Sequence, residues 1–218
     1  MKPFGRVLFL CADPARVRAQ LDGPVLDARS AGELRNDIST DEISPLPAMV
    51  HFDATLGRHA HTGFTAEGER PIGRDALRHA GIEVLVGGQR YGKGSSREHS
   101  PLAELSAGIR LVIAPSFERI YRQNADNLGL LTSTDLGLVD RLRNGETPSL
   151  DELLAGRDEQ SAAIVRAGGL LAYGLGPAAP TLPRTPTSGP QTLFEKIVDR
   201  HRLAPGFVRP DLRFIHEY

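Results

Sequence analysis

Two short apolar runs, at residues 82–86 and 109–114, flank a helical segment at 102–107 that Gly108 stops. Strands this short and apolar are covered on both faces, and two of them joined through a helix lie parallel in one sheet. The alternation recurs along the chain. Residues 5–10 read as a further strand, and Asp13-Pro14 supplies a cap and a first helical position for a helix through Gln20. More helices are expected from Ser116 ahead of residues 117–124, over 135–143 with Asn144-Gly145 as the stop, and from Ser149, whose spacing to Glu152 is that of a capping box. The expectation is an α/β domain on a central, mostly parallel sheet.

A change of composition bounds that domain. Residues 174–190 hold five prolines and three glycines in seventeen positions, which sustains neither a helix nor a central strand. The folded domain is therefore expected to span 1–173, followed by a semi-extended linker over 174–190. Thr192 and Glu195 form another capping box, opening a helix through about His201. One helix and a short remainder cannot enclose a core, so residues 191–218 must dock on something or begin a further domain.

Charge and cysteine content exclude several functions. The 26 basic and 27 acidic side chains leave a net charge of -1, so no global field draws the chain to nucleic acid or an anionic membrane, and an anion must be held locally. A single cysteine, Cys11, excludes an internal disulfide framework and a cluster held by several thiolates of this chain. No run reaches the length of a membrane span or a signal-peptide core, and the expected location is the cytosol. His51, His59 and His61 lie close in sequence without a matching carboxylate or thiolate spacing, and read as exposed or hydrogen-bonded histidines rather than metal ligands.

The densest chemistry follows residues 82–86. Gly87 to Lys93 fit G-x-x-x-x-G-K, but a nucleotide-binding loop needs Ser or Thr next, and Gly94 stands there. The strand at 109–114 ends in Pro115-Ser116 with no aspartate for a second metal contact. Beyond the lysine, Gly92 and Gly94 permit close backbone approach, and Ser95, Ser96, Arg97 and His99 precede the regular helix. Unpaired N–H groups and the Arg97 fork suit a carboxylate, and a serine in such a pocket can serve as a base. Ser95-x-x-Glu98 is equally a capping box, and Ser100-Pro101 is an alternative cap and first position, so the start of this helix stays open.

Tyr91-Gly92-Lys93-Gly94-Ser95-Ser96-Arg97-Glu98-His99 resembles the Y-G-x-G-S-S-R-E-H motif of the swivel domain of the aconitase family, which includes isopropylmalate isomerase and homoaconitase. Three further blocks fall in the same order. Thr40-Asp41-Glu42-Ile43-Ser44-Pro45 resembles the family's T-D-x-I-x-P segment, Ala114-Pro115-Ser116-Phe117-Glu118-Arg119-Ile120 its A-x-S-F-x-R-I block, and residues 124–131 its N-x-x-N-x-G-L-L segment. Thr192 to His201 is similar to the opening of the family's large, cluster-bearing subunit.

The resemblance implies a swivelling three-layer α/β domain that closes over a core carrying a [4Fe-4S] cluster, in a hydro-lyase that isomerises a hydroxy di- or tricarboxylic acid of the isopropylmalate, homocitrate or citrate class. It implies Ser95 as the base, Ser96, Arg97 and Asp41 as substrate contacts, and Gly92, Gly94 and His99 as supporting residues. Arg58 is the candidate for a second substrate-binding arginine. No cofactor or metal is expected in this chain; the expected partner is a large subunit or a fused core domain, of which residues 191–218 would be the start and this chain one piece. The rival readings are a non-catalytic carboxylate-binding or regulatory module and, more remotely, a P-loop protein.

Overall fold

Four short strands lie parallel in the order β1-β2-β3-β4, as consecutive strands joined by crossovers do. The computed structural model describes residues 2–23, 30–95, 98–176, 190–204 and 207–209, with the side chains of 203, 204 and 207 excepted. The chain divides into two compact units, Met1–Tyr173 and Gly174–Tyr218. In the first, β1 (Arg6–Phe9), α1 (Pro14–Asp22), α2 (Thr40–Ile43), α3 (Ala76–His79), β2 (Ile82–Val86) and α4 (His99–Ala107) come first. They are followed by β3 (Leu111–Ile113), α5 (Arg119–Leu128), β4 (Leu131–Ser133), α6 (Leu138–Arg143), α7 (Leu150–Leu153), α8 (Glu159–Arg166) and α9 (Leu170–Leu175), the last two residues of which fall in the second unit. Leu8 pairs with Leu85, Leu85 with Val112 and Val112 with Thr132, so one row of fully buried side chains crosses all four strands.

β1 is an edge strand, and the sequence protects it. Gln20 of α1 is buried; its Oε1 accepts from the Phe9 N–H at 2.8 Å and its Nε2 donates to the Phe9 carbonyl at 3.0 Å. One side-chain amide thus replaces the missing neighbour strand at that residue. Asp13 caps α1 as expected, accepting from the Ala15 N–H at 2.8 Å.

Other local expectations change. The helix after Ser116 begins only at Arg119, because Phe117 bridges to Tyr91 and the Ser116 hydroxyl instead accepts from the Arg90 N–H at 2.9 Å. Asp135 makes a turn, accepting from the Gly137 N–H at 2.8 Å, and α6 starts after it. Ser149 caps α7, but Glu152 turns outward to Arg141 rather than closing the box. α4 begins at His99 with Glu98 at its N-cap position, so Pro101 lies in the first turn, where an N–H has no helical acceptor and its absence costs nothing. The strand β4 and the helices α2, α3, α8 and α9 have no counterpart among the expected elements.

The core carries one polar cluster. Glu104 on α4 is fully buried; its Oε1 accepts from Tyr91 Oη at 2.5 Å and from His61 Nε2 at 2.9 Å, and its Oε2 accepts from Tyr121 Oη. A carboxyl group can stay there because three donors replace its water. His61 Nδ1 is buried without a hydrogen-bond partner.

In the second unit, α10 (Leu193–His201) opens on the full capping box of Thr192 and Glu195, and β5 (Arg202–Ala204) pairs antiparallel with β6 (Phe207–Val208). Leu193, Phe194 and Ile197 of α10 are exposed.

Glu104→Ala leaves two phenols and an imidazole without their acceptor and is expected to cost about 3–5 kcal/mol of unfolding free energy, measured by denaturant titration. Burial first, then the Glu104 charge, pushes the Tyr91 phenol well above the usual tyrosine range, and Tyr121 is raised by the same causes. A phenol raised in the folded state stabilises it below the unfolded value of about 10 and loses that contribution as pH climbs beyond it. Absorbance titration should therefore show two of the four tyrosines ionising only on alkaline unfolding.

Candidate active site

The segment between β2 and α4 carries the candidate residues, and backbone hydrogen bonds strap it to the domain along its length. The Gly87 N–H donates to the Ile113 carbonyl at 2.9 Å, and Gly92 and Lys93 both donate to the Ile38 carbonyl, at 2.9 and 3.0 Å. Thr40 N–H donates back to the Lys93 carbonyl at 2.8 Å, and Thr40 Oγ1 to the Ser95 carbonyl at 3.2 Å. α2 is therefore fastened directly beneath Ser95.

Two glycines make this path possible. Gly92 has φ +81, and a Cβ there would meet the Tyr121 ring at 2.2 Å; Gly94 has φ +114. Both conformations are costly for other residues. Tyr121 in turn is held by Glu104, and Tyr91, which immediately precedes Gly92, is held by the same carboxyl group. The buried cluster thus grips the loop from both sides.

Ser95 is exposed and opens on a cavity of about 180 Å³ lined also by Thr40, Gly94, Glu118, Arg119 and Tyr121, so one carboxylate and one guanidinium face it. Asp41 follows Thr40 in the first turn of α2, whose N-cap is Ser39: the Ser39 hydroxyl accepts from the Glu42 N–H at 3.1 Å, and Glu42 returns to the Ser39 N–H at 2.8 Å. Asp41 is therefore not the cap of this helix and stands on the surface beside the Ser95 segment. His99 opens α4 with its ring edge-on to Phe52, 4.8 Å between centroids. Ser96 and Arg97 lie outside the described residues.

Arg58 is not brought to this place. Its 3-10 turn, Leu56–His59, packs where Gly57 abuts the backbone of Ser106 and Ala107, at the other end of α4 and about 10 Å along it. Its Nε donates to Asp75 Oδ2 at 3.0 Å. Arg119, which the sequence reading passed over, lines the Ser95 cavity instead. Glu104 was missed too, although a signal existed: a charge on the same face as Ser100 and Ala107 occupies a core position of α4.

The geometry also disposes of the nucleotide loop. Lys93 points to Asp37, Nζ to Oδ1 3.5 Å, and the helix starts only at His99, so the lysine does not precede a helical turn that could cradle phosphate. The residues do not fit an iron–sulfur cluster either. Cys11 is fully buried, and burial pushes its thiol up to about 11. Among the described residues no three His, Cys, Asp or Glu side chains converge as metal ligands. His61 is hydrogen-bonded within the core, and His51 and His59 stack at 6.0 Å. Nor is any helix of the described residues long and apolar enough to cross a membrane.

Residues 67–134 match the family model described as the aconitase C-terminal domain. The small subunit of 3-isopropylmalate dehydratase from Desulfovibrio desulfuricans is 34% identical over 158 residues, covering 66% of this chain and 92% of that protein. The corresponding subunit from Pyrobaculum aerophilum is 34% identical over 151 residues, with 62% and 89% covered. A solved 3-isopropylmalate dehydratase from Methanocaldococcus jannaschii is 29% identical, with a TM-score of 0.45 over 63% of this chain and 86% of that one. Because the Desulfovibrio desulfuricans subunit is 34% identical and covered over 92% of its length, the chain belongs to the 3-isopropylmalate dehydratase small-subunit family of aconitase-type hydro-lyases.

Proposed function

We propose that this chain is the substrate-closing part of an aconitase-type hydro-lyase that isomerises a hydroxy dicarboxylic acid of the 3-isopropylmalate class. The observation that supports this most directly is the presentation of Ser95 at a cavity, on a loop clamped by Glu104 and fastened to the helix that carries Asp41. Ser95 acts as the base: its oxygen takes the proton alpha to a substrate carboxylate, and it returns a proton when water is added back at the neighbouring carbon. Arg97 holds that carboxylate through its planar fork, with Ser96 and Asp41 as further contacts. Gly92 and Gly94 let the loop approach the substrate closely, and His99 orients its end.

The departing hydroxyl needs a Lewis acid, which a [4Fe-4S] cluster on a large subunit or core domain supplies when the two come together. Residues 1–173 then form the moving domain, 174–190 the tether, and 191–218 the start of a core domain. The Thr192–Glu195 capping box and the exposed Leu193, Phe194 and Ile197, which a core would cover, support that assignment. Exposed Phe52, packed against His99 at the start of α4, offers an apolar contact for the closing surface.

Mixing the chain with a cluster-loaded large subunit of the family and following dehydration of 3-isopropylmalate tests this reading. Ser95→Ala should lower kcat by roughly 10²–10⁴ with KM little changed. Arg97→Lys should raise KM about tenfold or more, since an ammonium cannot replace the fork. No rate gain over the large subunit alone would sink the proposal and leave a carboxylate-binding module.

A further inference from the structure

A second cavity, of about 510 Å³, lies between α5 and α8, in the size range of small-molecule clefts. Its α5 wall presents Arg119, Arg122, Gln123 and Asn127, which follow one another at helical spacing, and its other wall carries Gln160 and Ser161. At its base Arg157 is almost fully buried and fully committed. Its Nε and Nη2 donate to Asp126 Oδ1 at 3.0 and 2.9 Å, its Nη1 to the Leu153 carbonyl at 2.7 Å, and its Nη2 also to Thr132 Oγ1 at 2.7 Å.

Arg122, just above, is different. Among the described residues every other arginine that is not fully exposed has a carboxylate or carbonyl partner, whereas Arg122 is half-buried with neither a side-chain hydrogen bond nor an ion pair. Desolvation first, then the neighbouring Arg157 charge, pulls its guanidinium below the usual arginine range, and Asp126 offsets this only in part. Arg119 also lacks a side-chain partner among the described residues. Asp158, on the rim, is turned to its own helix: its Oδ1 accepts from the Ser161 N–H at 2.9 Å and its Oδ2 from the Ser161 hydroxyl at 2.6 Å. A desolvated cation facing a roomy polar cavity is stabilised by an anion that enters it.

The geometry points to an anion-binding site in the groove between α5 and α8, in which Arg122 and Arg119 grip the carboxylate or phosphate group of a small molecule and the Gln123, Asn127 and Gln160 amides contact its remainder. Arg119 lines both this groove and the Ser95 cavity, so an anion held here draws on a cation that also faces the proposed catalytic serine. The site itself does not depend on Ser95 being a base.

The test is titration of the full chain at constant ionic strength with inorganic phosphate and, separately, malonate, by calorimetry and by backbone amide shifts. Saturable binding that perturbs α5 and α8 is expected, weakened about tenfold or more in Arg122→Gln and unchanged in Ser95→Ala and in the exposed control Arg143→Gln. The tighter of the two anions identifies the head group as phosphate or carboxylate. No saturation beyond a chloride control, or an equal loss in Arg143→Gln, overturns the proposal. So does binding lost in Ser95→Ala and kept in Arg122→Gln, which would place the anion in the Ser95 cavity. Because turnover is not the readout, failure here and failure of the hydro-lyase reading are told apart.

Discussion

The buried carboxyl group of Glu104 is the constraint on which the loop carrying Ser95 depends. Excluded from water, it must find donors within the protein, and it finds them on three separate stretches of chain: Tyr91 ahead of the glycine loop, Tyr121 on α5, and His61 just after the 3-10 turn Leu56–His59. Any displacement of α4 against those segments strips a donor from a desolvated acceptor, which costs far more than a slip between apolar surfaces would. The cluster therefore converts a set of packed elements into one rigid frame. Gly92, pressed against the Tyr121 ring, transmits that rigidity to the loop.

A frame of this kind suits the role proposed for Ser95, which requires position before reactivity. Among the described residues Ser95 has no side-chain partner comparable with the His–Asp pair of a serine hydrolase; what the fold supplies is a fixed backbone, a fastened neighbour in Thr40, and an open face. The glycines explain the order of the motif: Gly92 admits the ring beneath, Gly94 turns the chain outward, and the serine follows at the crest.

How much of this was legible in the residues follows from how local each feature is. The α1 cap at Asp13 and the capping box at Thr192 and Glu195 were readable because each is settled within four residues. The sheet was readable from apolar runs with helices between them. What failed was set by distant partners. Ser116 looks like a cap but bonds to Arg90, Phe117 is drawn into a bridge by Tyr91, and β4 is a three-residue strand with Thr132 at its centre, too short and too polar to stand out. The motif block placed Ser95 and Asp41 on segments that do meet, while Arg58, spaced from Asp41 by a loop of undetermined path, is tied to Asp75 at the far end of α4. Pro101, undecidable from its neighbours, proves harmless once the helix starts at His99.

The openness of the Ser95 cavity carries the last step. In bulk water a serine hydroxyl is far too weak an acid to lose its proton, and exposed charges interact through a dielectric that reduces each contact to about 1 kcal/mol. A hydroxyl oxygen becomes a useful base only where water is excluded and fixed positive charge stands nearby. This chain presents the serine at a cavity lined by Arg119 and by the opposing charge of Glu118, with Arg97 next to Ser96 in the sequence, and leaves the serine exposed. A second surface, closing over the cavity, would exclude that water and raise the strength of every charge inside it. On the proposed reading closure would turn Ser95 into a base, and sharing the active site with a cluster-bearing partner would let proton abstraction begin only once the group that takes the hydroxyl is in place.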